Sequence, residues 1–209
     1  MSIRKGDYDV YVSRIDGTGE RPMLTDDYDQ VPLAWDRTSA RLVVLEWHHD
    51  GSKPIALVDT SHGGTRDELV DGKLHAYRGA RLSPDDRWLA FVVEQTARTE
   101  VYVQPFPGSG RARRISSRGG TEPVWSPAAK ELFYRRDDEL IAVGYRDDNG
   151  QFVAGDERVI VKLPPAKLAG VTPDGRRFLI ARAVEPEPPP GVRVVLNWLD
   201  EIKDKAAAR

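Results

Sequence analysis

The chain has 209 residues, with 31 Lys and Arg against 33 Asp and Glu, a formal charge of −2 and 40% hydrophobic residues. So even a balance gives no global basic field to draw the chain to nucleic acid or an anionic lipid surface, and nucleic acid is not expected as a partner. Without a cysteine there are no disulfides or thiolate metal sites, and no apolar run in the sequence is long enough to span a bilayer.

The N-terminal residues Met1-Ser-Ile-Arg-Lys-Gly-Asp7 lead into a strand pattern without an apolar signal core, so no export signal is expected in the chain as written. Val10-Tyr11-Val12 then ends shortly before the turn Ile15-Asp-Gly-Thr-Gly19. The same pairing of apolar strand and glycine turn returns as Ile55-Ala56-Leu57 before Thr60-Ser-His-Gly-Gly64. It returns again as Val101-Tyr102-Val103 before Phe106-Pro-Gly-Ser-Gly110. Gly19, Gly64 and Gly110 fall in register, 45 and 46 residues apart.

A second motif interleaves with the first. It reads Trp35-Asp-Arg-Thr-Ser-Ala-Arg-Leu-Val-Val44, Leu82-Ser-Pro-Asp-Asp-Arg-Trp-Leu-Ala-Phe91, Trp125-Ser-Pro-Ala-Ala-Lys-Glu-Leu-Phe-Tyr134 and Val171-Thr-Pro-Asp-Gly-Arg-Arg-Phe-Leu-Ile180. Arg37, Pro84, Pro127 and Pro173 share one column, at steps of 47, 43 and 46. Proline presets one turn dihedral, Asp or Gly accepts the next, and an apolar strand follows, which is the chemistry of a tight hairpin. Short strands repeating at this period predict an all-β fold, a β-propeller of four-stranded antiparallel blades.

In each blade, strands a and b flank the Pro-Asp turn, and strands c and d flank the glycine turn. The register predicts a c–d half blade at 8–24, full blades at 31–70, 78–116 and 121–163, and an incomplete a–b–c blade at 168–198. The two ends together offer five strands where one blade needs four. A partial propeller is therefore expected over 1–199, with apolar blade edges open to another copy of the chain. Glu185-Pro-Glu-Pro-Pro-Pro-Gly191 reads as an extended loop before the strand Val192-Arg-Val-Val-Leu-Asn-Trp198. Residues 200–209 have the composition of a short tail or helix.

These motifs resemble the TolB-like, WD-repeat-like propeller found at the C-terminal end of bacterial serine/threonine protein kinases. The resemblance covers nearly the whole chain. It is carried by Asp9-Val-Tyr-Val12 with Asp16-Gly-Thr-Gly-Glu20, by Leu82–Phe91, by Glu100-Val-Tyr-Val-Gln-Pro-Phe-Pro-Gly108, by Gly119-Gly-Thr-Glu-Pro-Val-Trp125 and by Val194-Val-Leu-Asn-Trp198. It implies the sensory or interaction part of a larger parent, and an extracytoplasmic place if that parent is membrane-anchored; as written, the chain reads as cytoplasmic. The second copy, Arg37-Thr38-Ser39, and the third, Pro127-Ala128-Ala129, depart from the turn pattern, and no kinase domain precedes the repeats.

Catalytic chemistry is not legible. The Gly-rich loop, strand lysine, His-Arg-Asp loop and Asp-Phe-Gly site of a kinase are missing, as is the Gly-x-Ser-x-Gly elbow of a serine hydrolase. The near matches Gly17-Thr-Gly19 and His62-Gly-Gly64 fall in the glycine-turn column. Among ligand-like clusters, His48-His49-Asp50 and Asp26-Asp27-Tyr28-Asp29 carry metal donors. Neighbouring strand residues point to opposite faces, however, and the acidic run lacks the alternation of a calcium loop, so both read as solvated loops and no cofactor is expected. Arg111, Arg113, Arg114 and Arg118 form the one basic cluster. Tyr11, Trp35, Trp47, Phe91, Tyr102, Trp125, Phe133 and Trp198 read as packing between blades.

The d–a and b–c connections share one face of a propeller, and here that face collects Asp26, Asp27, Tyr28, His48, His49, Asp50, His75, Tyr77, Arg98 and Arg118. Loops on a rigid scaffold are where binding residues concentrate. The sequence thus predicts a non-catalytic module that binds a protein, peptide or cell-envelope ligand, with Tyr28, His49, Tyr77 and Arg118 as contact residues. The alternatives are a hydrolase or lyase built on the same face, with His48, His49 and His75 as candidates, and a structural fragment that pairs with another chain.

Overall fold

The structure, a computed structural model, describes residues 2–3, 8–61, 65–72, 76–94, 98–108 and 110–182. The expected strand at 192–198 and helix at 200–209 lie outside the described residues.

The described strands form five antiparallel sheets in chain order. The first contains β1 (Ser2–Ile3), β2 (Tyr8–Val12) and β3 (Arg21–Leu24). Three four-stranded meanders follow. They are β4 (Asp29–Trp35), β5 (Arg41–Trp47), β6 (Ile55–Asp59) and β7 (Thr65–Val70); β8 (Ala76–Leu82), β9 (Trp88–Glu94), β10 (Thr99–Pro105) and β11 (Arg113–Arg114); and β12 (Thr121–Trp125), β13 (Glu131–Arg136), β14 (Glu139–Asp148) and β15 (Gln151–Lys162). The last sheet pairs β16 (Lys167–Val171) with β17 (Phe178–Ala181). Beyond the expected c–d hairpin, the N-terminal sheet gains the two-residue strand β1, which pairs Ser2 with Asp9. Among the described residues no ladder joins this sheet to β16–β17.

The b strands of the full blades, β5, β9 and β13, are continuous apolar runs because both of their faces are covered, whereas Leu179 and Ile180 of β17 are exposed. In β9, Leu89, Phe91 and Val93 pack toward β4–β7, while Trp88, Ala90 and Val92 pack toward β12–β15. In β5, Val43 and Leu45 face β8–β11, and Leu42 and Val44 join Val10, Leu24 and Val58 against the N-terminal sheet. Phe133, Leu140 and Ala142 meet Leu168 and Phe178 of the last sheet. Each fully buried side chain of this kind contributes about 1.5–3 kcal/mol, so the stacked seams hold the arc together.

The a–b turns repeat one hydrogen-bonded frame whose cap residue varies. Asp36, Ser83, Ser126 and Thr172 each donate their amide across the hairpin mouth, at 2.8–3.0 Å. Their side-chain oxygens accept amides within the turn, as from Ala40 and Arg41 to Asp36, and from Arg87 and Trp88 to Ser83. Asp36 therefore does the work of the missing Pro-Asp-Gly in the second copy, with Ser39 taking the left-handed conformation at φ 57° that Gly175 takes at φ 70°.

Two aromatics expected between blades are exposed. Trp35 is 43% and Trp47 44% exposed. Trp125, in the same column as Trp35, is covered by the preceding blade, and its indole nitrogen donates to Arg81 O at 2.9 Å. On the Trp35 side, the described part of the preceding sheet has no long inner strand to play that part. Trp47 ends its strand in solvent with the Lys53 ammonium 5.3 Å above its ring.

Candidate functional site

On the face of the d–a and b–c connections, the loop 115–120 between β11 and β12 is fixed to both neighbouring blades. Ile115 and Gly120 donate backbone amides to Val101 O and Thr99 O, each at 2.8 Å. Buried Glu100 accepts from the Ser116 hydroxyl and from the Gly119 amide at 3.2 Å, and Ser116 accepts the Val101 amide at 2.8 Å. A buried carboxylate is costly unless its oxygens are bonded, and Glu100 is bonded to the loop it positions.

The glycines of Gly119-Gly120 have separate reasons. Gly119 has φ +96°, where side chains are strained; a Cβ on Gly120 would come within 2.9 Å of Tyr134 and of Val101, both fully buried. On the far side, Ser117 donates its amide and hydroxyl to Glu157 at 2.8 and 2.9 Å. The other oxygen of Glu157 accepts from Arg136 at 2.6 Å, and Arg136 reaches Glu139 at 2.9 Å.

This frame leaves a cleft of about 790 Å³ between the second and third full blades, with Glu94, Arg98, Arg118, Arg135, Arg136 and Asp137 on its walls. Burial would raise the Glu157 carboxyl, but hydrogen bonds from Ser117 and Arg136 outweigh it and hold the group below its ordinary value. Burial beside Glu157 pushes the Tyr134 phenol up. The hydrogen bond to Glu139 raises Arg136 against the opposing effect of burial, so this guanidinium stays charged and committed.

Arg98 and Arg118, two of the loop-face residues read from the sequence, meet in this cleft. The others do not join them. Tyr28 packs against His48 with ring centroids 4.4 Å apart and accepts a hydrogen bond from Arg66, which also pairs with Asp26. His48 bonds Glu46 at 2.9 Å, and Glu46 lies 3.7 Å from Arg66. Gln30 donates to Asp26, completing a polar knot on the face of β4–β7 that meets the N-terminal sheet. Burial, then the Glu46 charge, raises the Tyr28 phenol there.

His49 is exposed in the b–c loop, and Tyr77 sits in β8, paired with Val93; His62 and His75 lie outside the described residues. Among the described residues no three His, Asp or Glu side chains converge as metal ligands. The basic cluster is split. Arg111, Arg113 and Arg114 line a different groove, of about 660 Å³, beside Trp88 and Phe152, with Arg113 donating to Phe152 O at 3.1 Å.

Sequence reasoning missed Glu100, Ser116, Arg135, Arg136 and Glu157 as parts of the site. The signal for Glu100 was a carboxylate inside the apolar run Glu100-Val-Tyr-Val, and the charged Arg135-Arg136 pair closing an apolar strand was its counterpart across the cleft.

No family model matches the chain, and no curated protein matches it in sequence. Solved structures do match in fold. TolB from Acinetobacter baumannii is 18% identical over 83% of this chain and 42% of its own, with a TM-score of 0.63. An oligogalacturonate lyase in complex with manganese is 13% identical over 82% of this chain and 52% of its own, at 0.61. A nidogen/laminin complex gives 18% identity over 65% and 51%, at 0.52. The chain thus spans about half the length of these structures. At such identities the likeness is one of fold, and with the open stack of four-stranded sheets it defines the architecture as a partial TolB-like β-propeller. No helix among the described residues is long and apolar enough to cross a membrane.

Proposed function

We propose that the chain is a non-catalytic binding module that engages a protein or peptide through the cleft between its second and third full blades. The observation that carries this reading is the preformed cleft itself. Its walls are fixed by a hydrogen-bonded network through Glu100, Ser116 and Glu157, while the side chains of Arg98 and Arg118 stay exposed at its rim. Binding to a rigid concave surface costs little ordering entropy, which is what such a frame supplies. A protein complex among the fold neighbours supports the reading by analogy of fold. We extend the proposal to origin: the module is the interaction or sensory part of a kinase-associated parent, as the sequence motifs imply.

Selection of a displayed random peptide library against the full chain tests it. Peptides that bind in the micromolar range should lose at least tenfold in affinity on Arg98→Ala with Arg118→Ala and keep it on Arg37→Ala at the opposite turns. Selected peptides that ignore the first pair and respond to the second would place binding on the other face and overturn the reading.

The fold neighbour that is a lyase with manganese favours a second reading, an enzyme with its site on the same loop face. Calorimetric titration with manganese, followed by an ultraviolet assay for unsaturated product from oligogalacturonate, distinguishes the two. Tight metal binding with product formation would replace the binding module by the lyase.

A further inference from the structure

Resting on the loop-face reading, we infer that the cleft between the second and third blades recognises carboxylates of an acidic polypeptide segment. The inference comes from how the four guanidiniums on its walls are used. Arg136 is committed, with Glu157 on one nitrogen and Glu139 on another. Arg135 spends only its Nε, on Asp137 O at 2.6 Å. Arg98 and Arg118 make no hydrogen bond or ion pair to the described residues, whereas Ser116, Ser117, Gly119 and Glu157 around the loop 115–120 are paired.

Three guanidiniums with free donors therefore share one concavity, in a chain whose net charge is −2. A planar guanidinium matches a carboxylate with two parallel hydrogen bonds, which favours Arg over Lys where discrete carboxylates are read. Glu94 and Asp137 on the same walls decide between macromolecules. A uniformly charged polyanion would bring its groups against those two carboxylates, whereas a peptide can set acidic side chains against the arginines and neutral or basic ones beside Glu94 and Asp137. Mixed-sign walls of this kind select by register as well as by charge.

The test is fluorescence anisotropy of a labelled octapeptide of alternating glutamate and glycine with the full chain, beside the matched glutamine peptide and a sulfated polysaccharide. The glutamate peptide is expected to bind at low salt and to weaken as salt rises, with the glutamine peptide at least tenfold weaker. Arg98→Ala with Arg118→Ala should cost at least tenfold while thermal unfolding is unchanged, and Arg111→Ala with Arg114→Ala should leave affinity unchanged. Equal binding of the two peptides, or no binding of either, overturns the inference. So does loss through Arg111 and Arg114 instead, or a polysaccharide that binds more tightly through Arg98 and Arg118. Library-selected peptides that bind this cleft without acidic residues would overturn the carboxylate inference alone and leave the binding module standing.

Discussion

Trp35 and Trp125 occupy the same place in successive copies of one repeat, yet one is 43% exposed and the other 6%. Both close an inner strand and precede a turn with the same hydrogen-bonded frame. The difference is what covers each ring. Trp125 packs edge-on against Phe152 and Tyr145 of its own outer strands, with ring centroids 6.1 and 5.2 Å away, and bonds Arg81 O of the preceding inner strand. A repeat therefore encodes its own strand and turn, but the burial of its aromatic takes both its own outer strands and the blade before it.

The sharpest way to break this comparison is to truncate both. Trp125→Ala should cost about 3–5 kcal/mol, the usual range for a large aromatic removed from a packed site. Trp35→Ala should cost less than that by at least about 1 kcal/mol, since nearly half of its surface stays in water in the fold. Urea unfolding of the two variants measures the gap; equal losses would mean that Trp35 is covered in solution and that the N-terminal seam is complete.

A second contrast lies at the polar seams. Around Glu100 one buried atom, Tyr134 Oη, has no hydrogen bond, whereas in the knot around Arg66 three do not: Gln30 Oε1, Glu46 Oε1 and Arg66 Nε. Gly120→Val should therefore be disruptive, at about 1–3 kcal/mol or more, because the new side chain meets Tyr134 and Val101 in a packed seam. Glu100→Ala leaves the Gly119 amide and Ser116 hydroxyl without their acceptor, at about 1–3 kcal/mol. Glu46→Gln should cost less than about 1 kcal/mol, because Arg66 keeps Asp26 and Tyr28. Thermal shifts rank the three, and a larger loss for Glu46→Gln than for Glu100→Ala would reverse the assignment of the rigid seam.

The sequence made the blades legible because turn chemistry and apolar strands are local. Pro84, Pro127 and Pro173 announce hairpins, and Leu89-Ala-Phe91 or Leu132-Phe-Tyr134 announces a strand buried on both faces. The site was legible only as a face. Arg98 and Arg118 could be placed there by topology, but their meeting depends on Glu100, Ser116 and Glu157, which lie up to 57 residues apart and contribute no local pattern. Arg66 was invisible for the same reason: a charged residue in an outer strand reads as solvated until Asp26 and Tyr28 arrive from another connection. The Asn149-Gly150 hairpin between β14 and β15, with φ of 51° and 82°, was a local signal that the glycine-turn register passed over.

The smallest expected effect is a pH dependence confined to the rigid seam. Glu157 has its carboxyl lowered from the ordinary 4.5, because the hydrogen bonds from Ser117 and Arg136 outweigh the cost of burial. A depressed acid binds fewer protons in the folded chain than in the unfolded one, so its stabilisation is complete above pH 4.5 and drains away as pH falls through the folded value. Glu157→Gln should thus be less stable than the parent at neutral pH, and the difference should shrink as pH falls below that value. Asp36 and Asp174 are also lowered, by turn hydrogen bonds that outweigh burial, and they make the parent acid-sensitive on their own. The test is therefore the difference between the two unfolding curves. A gap between parent and variant that stays constant from neutral pH into the acid range would mean that Glu157 acts through shape alone and that charge does not fix the loop carrying Arg118.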